Sequence, residues 1–285
     1  SEPALSGHVR LAGEFGFDPD AQMVTANGLS LEASINSALV PGGATTISAS
    51  GELVFDQANQ ILRLTGFSLS VPELDLASGS QANVTLTGDI EGNPGNGRYQ
   101  SQNLVVEGEI SGEDIPGKNM PFKLTSNFDA NLNDETLVAQ EYRITSTIAS
   151  ATGKAAVTKL LSEPQFQGEF KLDPLSPREL LEKLGVSRPE TADAKALSSL
   201  ELETNFEGTA TSITLSPLSA KLDDTLVTGN VAITDFASQA LRIELVMDNL
   251  DADRYLPPGT AAATPGAAAP ATTRLPLETI RGLDV

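Results

Sequence analysis

Residues Gly51–Ser70 read "GELVFDQANQILRLTGFSLS", and from Gly13 the chain has already read "GEFGFDPDAQMVTANGLSLE". Over the 19 positions Gly13–Leu31 against Gly51–Leu69, 8 are identical. Leu62 and Leu64 alternate with Arg63 and Thr65, which places the two leucines on one face of a strand. After Gly66 the apolar positions become Phe67, Leu69 and Val71. The parity has slipped by one residue. A glycine that resets a period-2 pattern marks a bulge, which keeps the apolar set on its face. Gly28 stands at the same place before Leu29 and Leu31. Each copy therefore reads as strand, turn, strand, bulge, strand. The turns are "DPDA" (Asp18–Ala21) and "DQAN" (Asp56–Asn59), where Asp and Asn bond their own backbone.

One such unit cannot bury its apolar face alone, whereas adjoining units extend it. A fainter echo of the unit recurs in "TSNFDANLNDETL" (Thr125–Leu137) and "ETNFEGTATSITL" (Glu203–Leu215). "NVTLTGDI", "LVVEGEI" and "LVTGNVAI" read as further short strands. The expected fold is mainly β: a curved antiparallel sheet, either a repeating β-groove or an open sandwich, with a few short helices. "SPRELLEKLG" (Ser176–Gly185) predicts one helix, with Ser176 as cap, Pro177 in the first turn, Glu179 completing a capping box and Gly185 as stop. "KAAVTKLL" (Lys154–Leu161) and "TADAKALSSL" (Thr191–Leu200) are weaker helix candidates.

Composition narrows the function. The 285 residues carry 38 acidic and 18 basic side chains, a net charge of −20. Such a chain repels nucleic-acid backbones and anionic bilayer surfaces, so no nucleic-acid partner is expected. Any dealing with lipid must run through apolar surface. There is no Cys, which removes disulfides and thiolate chemistry; this fits a compartment where thiols are a liability, such as the bacterial periplasm, and equally the many cytosolic proteins that lack Cys. No run of about 18 apolar residues would span a membrane as a helix.

Catalytic motifs are absent. His8 is the one histidine and sits in an alternating strand pattern. No Gly-x-Ser-x-Gly elbow or Ser-x-x-Lys pair occurs. Gly153-Lys154 lacks the rest of a phosphate loop, and "EGNPGNGR" (Glu91–Arg98) reads as a hairpin loop. The carboxylate pairs Asp18/Asp20, Glu113/Asp114, Asp223/Asp224 and Asp251/Asp253 read as turns and solvated loops. A glycan hydrolase would need two of them facing across a cleft, with aromatic platforms that a chain without Trp and with 3 Tyr scarcely supplies. No catalytic residue, metal ligand or cofactor is assigned.

The C-terminal third adds a resemblance. "QFQGEFKLDPLSPRELLEKLG" (Gln165–Gly185) places Leu175-x-Pro177-Arg178-x-Leu180-Leu181 at a helix start. A strand pair follows around Leu226-x-x-Gly229, and the segment closes with Leu250-Asp251-x-Asp253-Arg254-Tyr255-Leu256-Pro257. These residues resemble the AsmA family of bacterial envelope proteins from Gln165 onward, and the first 150 residues match in style. The resemblance implies a periplasmic segment of an inner-membrane-anchored protein, with the N-terminal anchor missing. It also implies a role in outer-membrane assembly and kinship to bridge-like lipid transfer proteins, with phospholipid acyl chains and envelope proteins as partners. It brings no catalytic residues.

The expected organisation is a repetitive β segment (1–150), a β segment with short helices (151–258), an Ala/Pro/Thr linker (259–273) and the start of a truncated further element (274–285). If the strands line an acyl-chain groove, its candidate lining is Leu62, Leu64, Phe67, Leu69 and Val71, with Leu241, Ile243 and Leu245. The same side chains would equally pack a closed sandwich, and an exposed sheet edge would equally serve a protein-binding scaffold by strand addition.

Overall fold

The computed structural model describes residues 6–36, 44–76, 79–113, 115–238 and 240–258. The strands are β1 (Ser6–Asp18), β2 (Met23–Asn36), β3 (Ala44–Asp56), β4 (Ile61–Asp75), β5 (Gln81–Asn93), β6 (Arg98–Ser111) and β7 (Asn119–Asn131). They continue as β8 (Thr136–Ser146), β9 (Ser150–Thr158), β10 (Gln165–Leu175), β11 (Leu200–Thr209), β12 (Ser212–Leu222), β13 (Thr225–Ile233) and β14 (Leu241–Met247). All form one 14-stranded antiparallel sheet in sequence order, curved and open. Among the described residues β1 and β14 are edges with one partner each, and the sheet does not close into a barrel. Strands pack on their sequence neighbours, and every described strand belongs to this one sheet, so no second sheet is stacked on it among the described residues. The open-sandwich alternative is thereby set aside.

Local chemistry makes these hairpins. The turn after β1 is held by the Asp18 carboxylate, which accepts from the backbone N–H of Asp20 and Ala21. Asp56, Asn93 and Asn131 do the same with their side-chain oxygens at the turns β3–β4, β5–β6 and β7–β8 on the same rim. Such short-range bonds offer the backbone a turn in place of a ladder.

Each even-numbered strand from β2 to β12 carries an extra residue against its neighbour, at 26/29, 64/67, 101/104, 139/142, 172/175 and 215/218, and β4 carries a second at 71/74. Gly28 and Gly66 supply two of these bulges from left-handed backbone, both at φ 58°. The freed N–H of Gly66 is bonded by the Asp89 carboxylate at 2.8 Å, and that of Glu141 by the Asn127 amide oxygen at 3.3 Å. A bulge bends its strand and raises its twist. Placed on every second strand, bulges bend the sheet as a whole.

One helix, α1 (Pro177–Lys183), joins β10 to β11, with Ser176 Oγ accepting from the Glu179 N–H as the cap predicts. The expected helix at 154–161 is instead β9 and the turn after it. Its Ala- and Lys-rich composition favours a helix, but β8 and β10 offer ladders on both sides, and pairing overrides propensity. Residues 191–199 form bends and turns, and Leu200 opens β11. The sheet runs through residue 150 without interruption, joining the segments 1–150 and 151–258. The expected linker and following element, 259–285, lie outside the described residues.

Candidate functional site: an uncovered apolar face

Directly opposed residues in a ladder share a face, so the register sorts every strand residue. Starting at β1, opposed partners run Phe17, Val24, Phe55, Leu62, Gly92, Tyr99, Ala130, then Leu137, Val157, Phe166, Gly208, Ile213, Ile233 and Leu241. This row crosses all 14 strands and meets no polar side chain except Tyr99. Beyond the bulges, a second row runs from Leu11 through Leu69, Leu86, Val106, Leu124 and Ile144 to Met247 and is apolar throughout. Because each bulge adds one residue, both rows stay on the same side of the sheet. Fourteen strands spaced about 4.8 Å apart make a strip roughly 60 Å long.

The opposite face carries the charge. Arg63 pairs there with Glu91 at 2.8 Å, Lys123 with Glu107 at 2.5 Å, Arg143 with Asp173 at 3.2 Å and Lys154 with Glu169 at 3.1 Å. Every charged residue opposed in a ladder lies on this side, His8 among the polar residues beside them. The charged face also holds the surface clefts, such as one of about 680 Å³ beside Lys154, Glu169 and Asn205. The apolar face is a broad open surface instead.

All eight residues read from the sequence as candidate lining fall on the apolar face. Leu62, Leu64, Phe67, Leu69 and Val71 are half-buried. Leu241, Ile243 and Leu245 are exposed on the edge strand. Leu62 and Leu241 belong to one transverse row. Sequence reading missed the aromatic rings that lie across facing glycines. A Cβ on Gly92 would stand 2.2 Å from the Tyr99 ring, one on Gly168 2.6 Å from Phe206, and one on Gly208 2.5 Å from Phe166. Tyr142 reaches over Gly153 on the intervening strand and donates to the Glu169 carbonyl of β10 at 2.9 Å. Burial pushes its hydroxyl pKa up. These rings and glycines floor the strip. Among the described residues the buried apolar side chains are mostly alanines, with Tyr142 and Leu218, so the larger ones remain open to a partner.

The motifs of the C-terminal third meet at one end of the strip, near the ends of β10, β12 and β14. Arg178 of α1 donates to the carbonyls of Ala196 and Asp193 and to Thr191. Arg254 pairs with Asp193 at 3.0 Å and Asp224 at 2.9 Å. Asp223 accepts from the N–H groups of Leu197, Ser198 and Ser199, from Ser198 Oγ and from the Tyr255 hydroxyl. These side chains tie the loop 184–199 to residues 251–258. Of the carboxylate pairs, Asp18 holds a turn, and Asp223 and Asp224 belong to this network; Asp114 lies outside the described residues.

Partial burial works to raise the Asp223 pKa, but the bonds from Ser198, Leu197 and Ser199 outweigh it, and the carboxyl lies below its ordinary value. A depressed carboxylate stabilises the fold above the unfolded value, about 3.9, and that contribution is lost as pH falls through the folded value. The loop should therefore loosen below about pH 4. Tyr255 fluorescence during an acid titration checks this. Asp223→Asn tolerates the same left-handed backbone (φ 52°) and should remove the acid step while loosening the loop at neutral pH. An unchanged step in Asp223→Asn would assign it elsewhere.

The model of the AsmA family matches residues 48–274, well over half of the chain. The match starts inside β3, far upstream of the Gln165 boundary at which the sequence resemblance begins. No curated protein and no solved structure matches the chain. No helix among the described residues is long and apolar enough to cross a membrane.

Proposed function

Since the chain belongs to the AsmA family, we propose that it is a non-enzymatic periplasmic module of an inner-membrane-anchored protein. It handles phospholipid by laying acyl chains along the apolar face, in the service of outer-membrane assembly and lipid homeostasis. The observation that supports this reading is the pair of apolar rows, with Tyr99 their one polar side chain, running across the 14 strands of a single open sheet. Each methylene moved from water onto such a surface contributes about 0.8 kcal/mol, so ten contribute at most roughly 8 kcal/mol. That is enough to hold a lipid without a single specific polar contact. An open strip also lets a chain slide, since every position along it offers much the same contact.

The test is lipid extraction from purified protein followed by mass spectrometry. Diacyl lipid should be recovered, and a fluorescent acyl probe should bind and be displaced by phospholipid. Protein that carries no lipid and binds no probe would refute the reading.

A further inference from the structure

We propose that the apolar face recognises the hydrocarbon tails alone, so that headgroup selection reduces to charge: zwitterionic diacyl lipids are taken up and anionic ones are disfavoured. The inference rests on the function proposed above and concerns the class of lipid.

A phosphate-bearing anionic headgroup is held by cations or by a cluster of free donors. The apolar face offers neither. No lysine or arginine opposed in a ladder lies on it, and of the hydroxyl residues that do, Ser101, Thr204 and Thr225 are buried, Thr45, Ser126 and Ser146 are half-buried and already donate to backbone carbonyls, and Tyr99 is half-buried. Thr204 Oγ1 and Thr225 Oγ1 already donate to backbone carbonyls. A headgroup must therefore sit past the strand ends, at one of the two rims. The rim of the tight turns presents Asp18, Asp20, Asp56, Asp134 and Asp235. At the opposite rim most cations are engaged, Lys118 with Glu113 at 3.0 Å, Arg188 with Glu182 and Arg254 with both Asp193 and Asp224, while Lys195 there and Lys159 at the turn rim have no carboxylate partner among the described residues and are outnumbered by the carboxylates. Around these rims the whole chain carries −20. An anionic headgroup there meets like charge within a Debye length, about 8 Å at physiological salt. A zwitterionic headgroup pays no such penalty, and its ammonium meets carboxylates.

The experiment incubates the purified chain with vesicles of equal parts phosphatidylethanolamine and phosphatidylglycerol of identical acyl composition, and reads the bound lipid by mass spectrometry. At low salt the bound pool should be depleted in phosphatidylglycerol by about two-fold or more, and the depletion should shrink toward equal uptake in 0.5 M salt, where screening shortens the range to roughly 4 Å. Enrichment in phosphatidylglycerol, or a depletion that salt does not alter, overturns the headgroup inference and leaves acyl binding standing. Recovery of no lipid from either component overturns both.

Discussion

Leu69→Glu combined with Leu86→Glu should strip the protein of co-purifying lipid while leaving the sheet intact. The two leucines oppose one another in the ladder between β4 and β5, in the middle of the second apolar row. Each is half-buried with no element above it, so a carboxylate there keeps access to water and the strand pair survives. An acyl chain lying over the pair would have to desolvate two charges, which costs far more than the methylenes return. The bound fraction should fall at least about tenfold, the equivalent of about 1.4 kcal/mol. Ser68→Glu with Thr87→Glu is the matched control. These residues also oppose one another, one position along, on the charged face. They introduce the same repulsion between strands without touching the strip. Circular dichroism should be unchanged in both, and lipid should be lost in the first alone. A photo-crosslinking side chain placed at Leu69 should label lipid, and one at Thr87 should not. Equal lipid loss in both double variants, or equal labelling at both sites, would refute the assignment of the face.

The second large effect concerns the floor. Gly153 opposes Tyr142 on one side and Phe170 on the other, and a Cβ built there stands 1.8 Å from the Glu169 carbonyl oxygen and 2.5 Å from the Tyr142 hydroxyl. The obstacle is backbone, which cannot swing away. Gly153→Val should break the Tyr142 bond to Glu169 and force β9 away from β10. Overpacking costs about 1–3 kcal/mol and a lost hydrogen bond about 1 kcal/mol more. For a chain of this size that lowers Tm by roughly 4–16 °C. Because the sheet has no second layer, the damage cannot be shared with a core. Hydrogen exchange should rise at β9 and β10 first and leave β1–β6 protected. Tyr142→Phe, which removes the bond without adding volume, should cost about 1 kcal/mol alone. If Gly153→Val is no worse than Tyr142→Phe, the steric account fails.

The sequence by itself determined what is local. Period-2 alternation gave one apolar and one polar side to each strand, Asp and Asn marked the turns, and Ser176-Pro177 began the helix. Gly28 and Gly66 announced two bulges because left-handed backbone favours glycine. The remaining bulges carry no glycine; Pro174 and Pro217 mark those at 172/175 and 215/218, while those at 101/104 and 139/142 left no comparable trace. Tertiary structure alone decided the rest. Whether Leu62 and Leu241 share a row depends on the register of ten intervening ladders, which no single strand encodes. Whether Lys154–Thr158 is helix or strand depends on the two neighbours that pair with it. The meeting of Arg178, Asp223 and Tyr255 depends on where β10, β12 and β14 end. Most of all, alternation says that a face is apolar but not what covers it. That is settled by contacts between residues far apart in the chain, and here the described strands pair with their sequence neighbours in one open sheet.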